Sequence, residues 1–395
     1  MKKLEKSVPV IRFKGFSEAW EQRKFIEIIN RLSKTSNSSI LPKVEYEDII
    51  AEEGRLNKDI SNKFDSRKGI LFQPKNILYG KLRPYLKNWL YPDFKGVAVG
   101  DFWVFEAIEA TPRFIYNLIQ SDSYQKVAND TAGTKMPRSD WTKVSNSSFF
   151  IPKESSEQKR IGTFFKQLDD TIALHQLKLD TLKQMKKGLL QQMFPKSEED
   201  VPKIRFADFD EEWYQRKLGE EFEKINERND GSFGKTHWIS VAKMYFVEPN
   251  KVLSNNIDTR TYVMRKGDIA FEGHSNTDFK FGRFVANDIG PGIVSELFPV
   301  YRHKTNYDNN YWKNAIQLEH IMAPIYSKSI TSSGNSSNKL DSKHFLNQKI
   351  YIADFEEQEK IGSIFKQLDN TIILYQNKLN KFDILKKAYL QTMFI

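Results

Sequence analysis

Two stretches of the chain share one hydrophobic rhythm. From Glu157 to Phe194 (EQKRIGTFFKQLDDTIALHQLKLDTLKQMKKGLLQQMF) apolar residues fall at Ile161, Phe165, Leu168, Ile172, Leu179, Leu182, Leu189 and Met193, and His175 and Lys186 complete an alternating four-and-three spacing. From Glu357 to Phe394 the same positions hold Ile361, Phe365, Leu368, Ile372, Tyr375, Leu379, Phe382, Lys386, Tyr389 and Met393. This spacing is a heptad seam. Neither stretch contains proline, and Ala, Leu, Lys, Gln and Met dominate, so each is expected to form one helix of about 38 residues, about 57 Å long. Pro195 is placed to stop the first.

More than half of the paired positions are identical without a gap, and a second repeat precedes each stretch: VPVIRFKGFSEAWEQRK from Val8 to Lys24 and VPKIRFADFDEEWYQRK from Val201 to Lys217. The order is entry motif, variable region, long helix, twice over. A lone amphipathic helix most often packs on its own domain. Two helices with the same seam bury it most economically against each other, and the link from Phe194 to Val201 is too short to run back along a coil, so the helices are expected to be antiparallel. Two α+β domains would then sit at opposite ends of a two-helix coiled coil, related by a pseudo-two-fold axis. Lys186 and Lys386 share one seam position, where a charge helps select pairing geometry or snorkels outward. The expected divisions are 1–24 (entry), 25–152 (first domain), 153–195 (helix), 196–217 (link and second entry), 218–352 (second domain) and 353–395 (helix).

The variable regions read as strands broken by turns, then helix, polar loop and strand. The first has runs at Gly69–Phe72, Asn76–Gly80 and Gly96–Ala107, a helical stretch at Thr111–Ala128, a polar loop at Asn129–Asp140 and a strand at Ser148–Ile151. The second has runs at His237–Met244, Thr261–Gly273 and Gly292–Arg302, a helical stretch at Asn310–Ile325, a loop at Thr331–Asn338 and a strand at Lys349–Ile352. Each is a small α+β domain.

Charge changes the picture. The 395 residues carry 61 Lys and Arg against 51 Asp and Glu, a net charge of +10, which favours a polyanionic partner, nucleic acid before an anionic membrane. Basic and amide side chains in loops are the groups that read base edges. They cluster at Lys81 and Arg83 (GKLRPYLK) and Lys135 and Arg138 (AGTKMPRSD) in the first region, and at His274, Asn276, Lys280, Arg283, Asn335, Ser337, Asn338 and Lys339 in the second. The absence of cysteine removes disulfides, thiolate metal sites and cysteine nucleophiles, and fits a reducing compartment, the cytoplasm by default. No apolar run has a membrane helix's length, so no membrane partner is expected.

Catalytic motifs fail on inspection. GSFGKT at Gly231–Thr236 lacks the first glycine of a phosphate loop, Asn229 standing in its place. Pro92 and Asp93 open a nuclease-like pattern that is not completed within roughly the next twenty positions. Six histidines show no metal-ligand spacing. No turn has the glycine pattern of an adenosyl or nicotinamide cofactor site. The expectation is a non-catalytic chain that binds no cofactor or metal.

The duplicated EQxxIGxxFKQLDxTIxLxQxKL blocks, the VPxIRFxxFxxxWxQRK entries, ILYGKLRPYL, RKGDIAFEGHSN and FGRFVANDIGPGIVSELF resemble the DNA-specificity subunit of type I restriction-modification systems over essentially the whole chain. The resemblance implies two target-recognition domains reading an asymmetric bipartite site in double-stranded DNA, and long helices that dock two methyltransferase subunits using S-adenosylmethionine for adenine methylation. Restriction subunits using ATP and magnesium would join through the assembled complex. The competing reading is a coiled-coil adaptor with two protein-binding domains.

Overall fold

The computed structural model describes residues 7–63, 65–131, 135–196, 199–252, 260–333 and 337–395. The chain divides into two compact units, residues 1–176 with 377–395, and residues 177–376. The fold is α+β throughout. Two long helices, α1 (Ser155–Gln192) and α2 (Phe355–Thr392), each of 38 residues, are each divided between the two units, the longer N-terminal part of α1 in unit one and that of α2 in unit two. Pro195 stands three residues beyond the end of α1.

In unit one, a four-stranded antiparallel sheet runs Ile29–Leu32, Phe102–Ala107, Ile77–Gly80, Trp89–Leu90 in spatial order. A second sheet orders Thr35–Ser36, Gly69–Phe72, Gly96–Ala98 and Lys43–Val44. The end of the entry motif, Glu21–Lys24, pairs antiparallel with Ser148–Ile151, the strand that leads into α1. One core joins Trp20, Phe25, Phe105, Phe114 and Tyr124 to Ile161 and Phe165 of α1, to Leu390 of α2, and to Met393 and Phe394 just beyond α2.

In unit two, the main sheet runs Phe222–Ile225, Val300–His303, Ile269–Glu272, Arg283–Ala286. Tyr214–Lys217 pairs with Lys349–Ile352, the same ribbon as in unit one. Its core joins Trp213, Phe222, Phe284, Tyr311 and Trp312 to Ile361 and Phe365 of α2 and to Met193 and Phe194 beyond α1.

Several expected runs resolve more finely. Gly96–Ala107 is two strands, as are Thr261–Gly273 and Gly292–Arg302, and in His237–Met244 only Ile239–Ser240 is strand. The expected helix Thr111–Ala128 is two helices, Pro112–Leu118 and Asp122–Ala128, because the Ser121 hydroxyl accepts from the Tyr124 backbone N–H and opens a new N-terminus. Asn310–Ile325 likewise splits into Asn309–Ala315 and Glu319–Ser329. The expected loop Thr331–Asn338 is in part a hairpin: Ile330–Ser333 pairs with Asn338–Leu340, so the first three residues of that loop and its last are strand.

The seam divides its labour. Ile161, Phe165, Leu168, Leu179, Leu182, Ile361, Phe365 and Leu379 are buried, and Ile172, Leu368, Ile372 and Phe382 half-buried. The first turns of each helix enter a domain core. Further along, within unit one, His175 stacks on Phe382 at 5.2 Å and Phe164 meets Tyr389 edge-on at 5.0 Å, so the first half of α1 pairs antiparallel with the last half of α2. In unit two, Lys186 reaches Asp369 at 2.6 Å, and the mirror pair Lys386–Asp169 in unit one closes at 2.8 Å.

Candidate nucleic-acid interface

In unit one the central strand Ile77–Gly80 is fully buried and delivers its continuation, Lys81–Lys87, to the surface. The second basic loop approaches it directly. The Arg83 N–H donates to the Pro137 carbonyl at 2.7 Å, the Ser139 N–H to the Lys81 carbonyl at 2.9 Å, and Leu82 and Arg138 form an antiparallel bridge. Two segments more than fifty residues apart in sequence thus present Lys81, Arg83, Lys135 and Arg138 together, with all but the half-buried Lys81 exposed. Asp101 sits among them: Arg138 binds its carboxylate at 3.0 Å and Lys81 lies at 3.6 Å. Burial opposes ionisation of Asp101, but the Arg138 hydrogen bond and the charges of Arg138 and Lys81 outweigh it and hold the carboxyl below its ordinary pKa.

Unit two repeats the scheme. The strand Ile269–Glu272 leads into Gly273–Gly282, and the Asn338 N–H donates to the Gly273 carbonyl at 2.9 Å. A side chain at 273 would put Cβ 2.2 Å from the Asn338 carbonyl oxygen and 2.6 Å from the Ser337 hydroxyl, so glycine is what permits the two loops to touch. His274, Asn276, Lys280 and Lys339 are exposed; Ser337 and Asn338 are half-buried beside them. Asn335 lies outside the described residues. Local contacts fix several of these groups. His274 hydrogen-bonds Glu272, the Asn276 side chain accepts from the backbone of Asp278 and Phe279, and the Lys280 backbone N–H donates to Glu319 at 3.1 Å. Arg283 is the least available: its guanidinium donates to the Ala242 carbonyl at 2.5 Å and lies over the Phe279 ring at 4.8 Å.

The entry motifs serve a purpose that spacing did not reveal. The buried Glu157, in the first turn of α1, receives a two-pronged contact from Arg12 at 2.7 and 2.8 Å and the Trp20 indole N–H at 3.3 Å. Glu357 of α2 is held identically by Arg205, at 2.8 Å twice, and Trp213 at 3.0 Å. Each clasp ties an entry segment to a helix start and thereby fixes the domain's sheet ribbon. The signal was present as the joint repetition of IRF, W and EQ in both halves. Among the described residues no group of three or more His, Asp or Glu side chains could hold a metal ion, and no helix is long and apolar enough to cross a membrane.

Residues 17–184 match the type I restriction modification DNA specificity domain. This segment belongs to that family. Across the chain the fold is that of type I S subunits. The S subunit of a type I restriction-modification system from M. genitalium aligns with a TM-score of 0.59 at 14% identity, covering 98% of this chain and 99% of that one. A chain from a type I R-M system, solved to explain complex assembly and conformational transition, aligns with a TM-score of 0.54 at 17% identity, covering 94% and 96%. No curated protein sequence matches. The specificity domain covers the whole of unit one's loop cluster, and the second half of the chain repeats its entry motif and long helix.

Proposed function

We propose that this chain is the non-catalytic reader of an asymmetric, bipartite duplex DNA target, each unit recognising one half-site and partner subunits doing the chemistry. The observation that carries this reading is the shared construction of the two loop clusters: in each unit the segment following a buried central strand is tied by backbone hydrogen bonds to a second, sequence-distant loop, and both carry basic or amide side chains. The architecture is repeated while the side chains differ, as two readers of unlike sequences require. Arg and Lys suit guanine, Asn suits adenine, and surrounding lysines supply salt-dependent phosphate affinity.

The partners in this reading are two methyltransferase subunits using S-adenosylmethionine for adenine methylation, joined by restriction subunits that use ATP and magnesium. The long helices offer them apolar surface: Leu174, Ile384 and Leu385 are exposed in unit one, and Leu177, Met185, Ile373 and Leu374 in unit two. Exchanging residues 25–150 for the corresponding region of another specificity subunit, followed by methylome sequencing in a host that supplies the methyltransferase, tests the proposal. One half of the methylated motif should change and the other persist. Loss or change of both halves would defeat it, and a chain that binds no duplex at low salt would favour the adaptor reading.

A further inference from the structure

The loop cluster of unit one carries apolar side chains that the cluster of unit two lacks. Between Arg83 and Lys87 lies a single helical turn, Pro84–Leu86, that leaves Tyr85 56% and Leu86 40% exposed, and Met136 on the adjoining loop is 47% exposed. Within 273–282 and 337–340 of unit two, among the described residues, no large apolar side chain is exposed. These three apolar side chains lie on the same two segments that carry Lys81, Arg83, Lys87 and Arg138, so exposed apolar surface and basic charge share one loop cluster.

The turn is also braced against collapse. Arg83 and Lys87 both adopt the left-handed conformation, with φ of 50° and 54°, which side chains other than glycine rarely take up. Such residues persist where surrounding bonds over-determine them. Here the Arg83 N–H is held by Pro137, the Leu86 N–H by the Arg83 carbonyl at 2.8 Å, the Lys87 N–H by the Pro84 carbonyl at 2.9 Å, and the Lys87 carbonyl accepts from the Glu52 N–H at 3.0 Å. Lys87 further binds the Glu52 carboxylate at 3.1 Å. Tyr85 and Leu86 therefore project from a stiff, positively flanked knuckle.

We propose that Tyr85 and Leu86 form a wedge that unit one inserts between stacked base pairs of duplex DNA, so that its half-site is read partly through how easily one base step unstacks. Apolar side chains inserted in this way kink the duplex, and flexible pyrimidine–purine steps yield most readily. The flanking cations would meet the phosphates on either side. Unit two, with a polar cluster, would read its half-site by side-chain contacts alone. The proposal rests on the DNA-reading function above.

The test begins with selection of duplexes from a random-sequence library by the full-length chain, wild type and the double variant Tyr85→Ala with Leu86→Ala. Fluorescent base analogues are then placed at each step of the enriched half-sites. Wild type should brighten an analogue at one step in one half-site only. The double variant should lose that signal, bind that half-site roughly tenfold to a hundredfold more weakly, and leave preference at the other half-site unchanged. Tyr85→Phe should retain both signal and affinity. If the library yields no enriched motif, the DNA-reading function itself fails. If a motif is enriched but no step brightens and the double variant binds as wild type, the wedge fails while the reading stands; a loss from Tyr85→Phe equal to that of the double variant would replace the wedge with a hydroxyl–phosphate contact.

Discussion

At the scale of single residues, Arg138 and Lys339 are the sharpest probes of base reading, because both are exposed and each sits on the second loop of its cluster. Arg138→Ala and Lys339→Ala are each expected to weaken binding by about 1–3 kcal/mol at the half-site of their own unit where the contact is to a base, and to weaken all sequences alike where it is to phosphate. Competition binding against singly altered duplexes separates the two. His303 tests a different point. Burial lowers its pKa to about 3, both ring nitrogens lack hydrogen-bond partners, and the ring stacks on Tyr307 at 3.7 Å. The unfolded chain takes up this proton near pH 6.5 while the folded chain refuses it, so stability present at neutral pH is lost as pH falls from about 6.5 toward 3, by up to about 1.4 kcal/mol per pH unit. Urea unfolding followed at pH 7 and pH 5 should show a smaller pH-dependent loss in His303→Phe than in wild type.

At the scale of elements, the long helices show what periodicity can and cannot disclose. Their extent, seam and absence of breaks were legible, because a heptad repeated over 38 residues has no other stable reading. Their double duty was not, since Ile161 and Phe165 serve a domain core from the same stripe that later serves the partner helix. The break in Thr111–Ala128 was not legible because one capping hydroxyl, Ser121, overrides a continuous apolar pattern, and the break before Glu319 carries no capping side chain at all, Leu318 standing at the N-cap. The cluster loops were found by composition, but their contact was not, because the bonds joining Arg83 to Pro137 and Gly273 to Asn338 are between backbones and leave no trace in side-chain spacing. Seam lysines explain orientation: a parallel pairing would set Lys186 against Lys386, whereas the antiparallel one gives each an aspartate. The clasp at each helix start makes a further prediction. Glu357→Gln leaves the Arg205 guanidinium without its buried counter-charge and should cost about 3–5 kcal/mol, as should Glu157→Gln for Arg12. Denaturant midpoints read both. Gly362→Ala should also destabilise, because its Cβ would lie 1.9 Å from the Asp308 carboxylate that caps Asn309–Ala315.

At the scale of the whole molecule, repetition with divergence is the organising fact. The same ribbon, clasp, sheet and loop pair occur in both units, while the exposed side chains of the loops have little in common. Combining Arg138→Ala with Lys339→Ala should therefore give an additive loss of binding, within about 0.5 kcal/mol, since the two share no partner. Titrating the double variant and both single variants against one duplex checks this, and marked non-additivity would mean that the units communicate.

The division of the chain also sets an order of events during synthesis. Unit two is one uninterrupted span, and a ribosome finishes it before making residues 377–395. Unit one is begun first yet completed last, because Leu390, Met393 and Phe394 fill a core otherwise built before residue 177. At about 5–20 residues per second, an apolar groove stays open on the nascent first unit for roughly ten to forty seconds. A chaperone that shelters exposed apolar surface has its longest opportunity there, and a nonsense codon just before Leu390 would damage the part of the protein translated earliest.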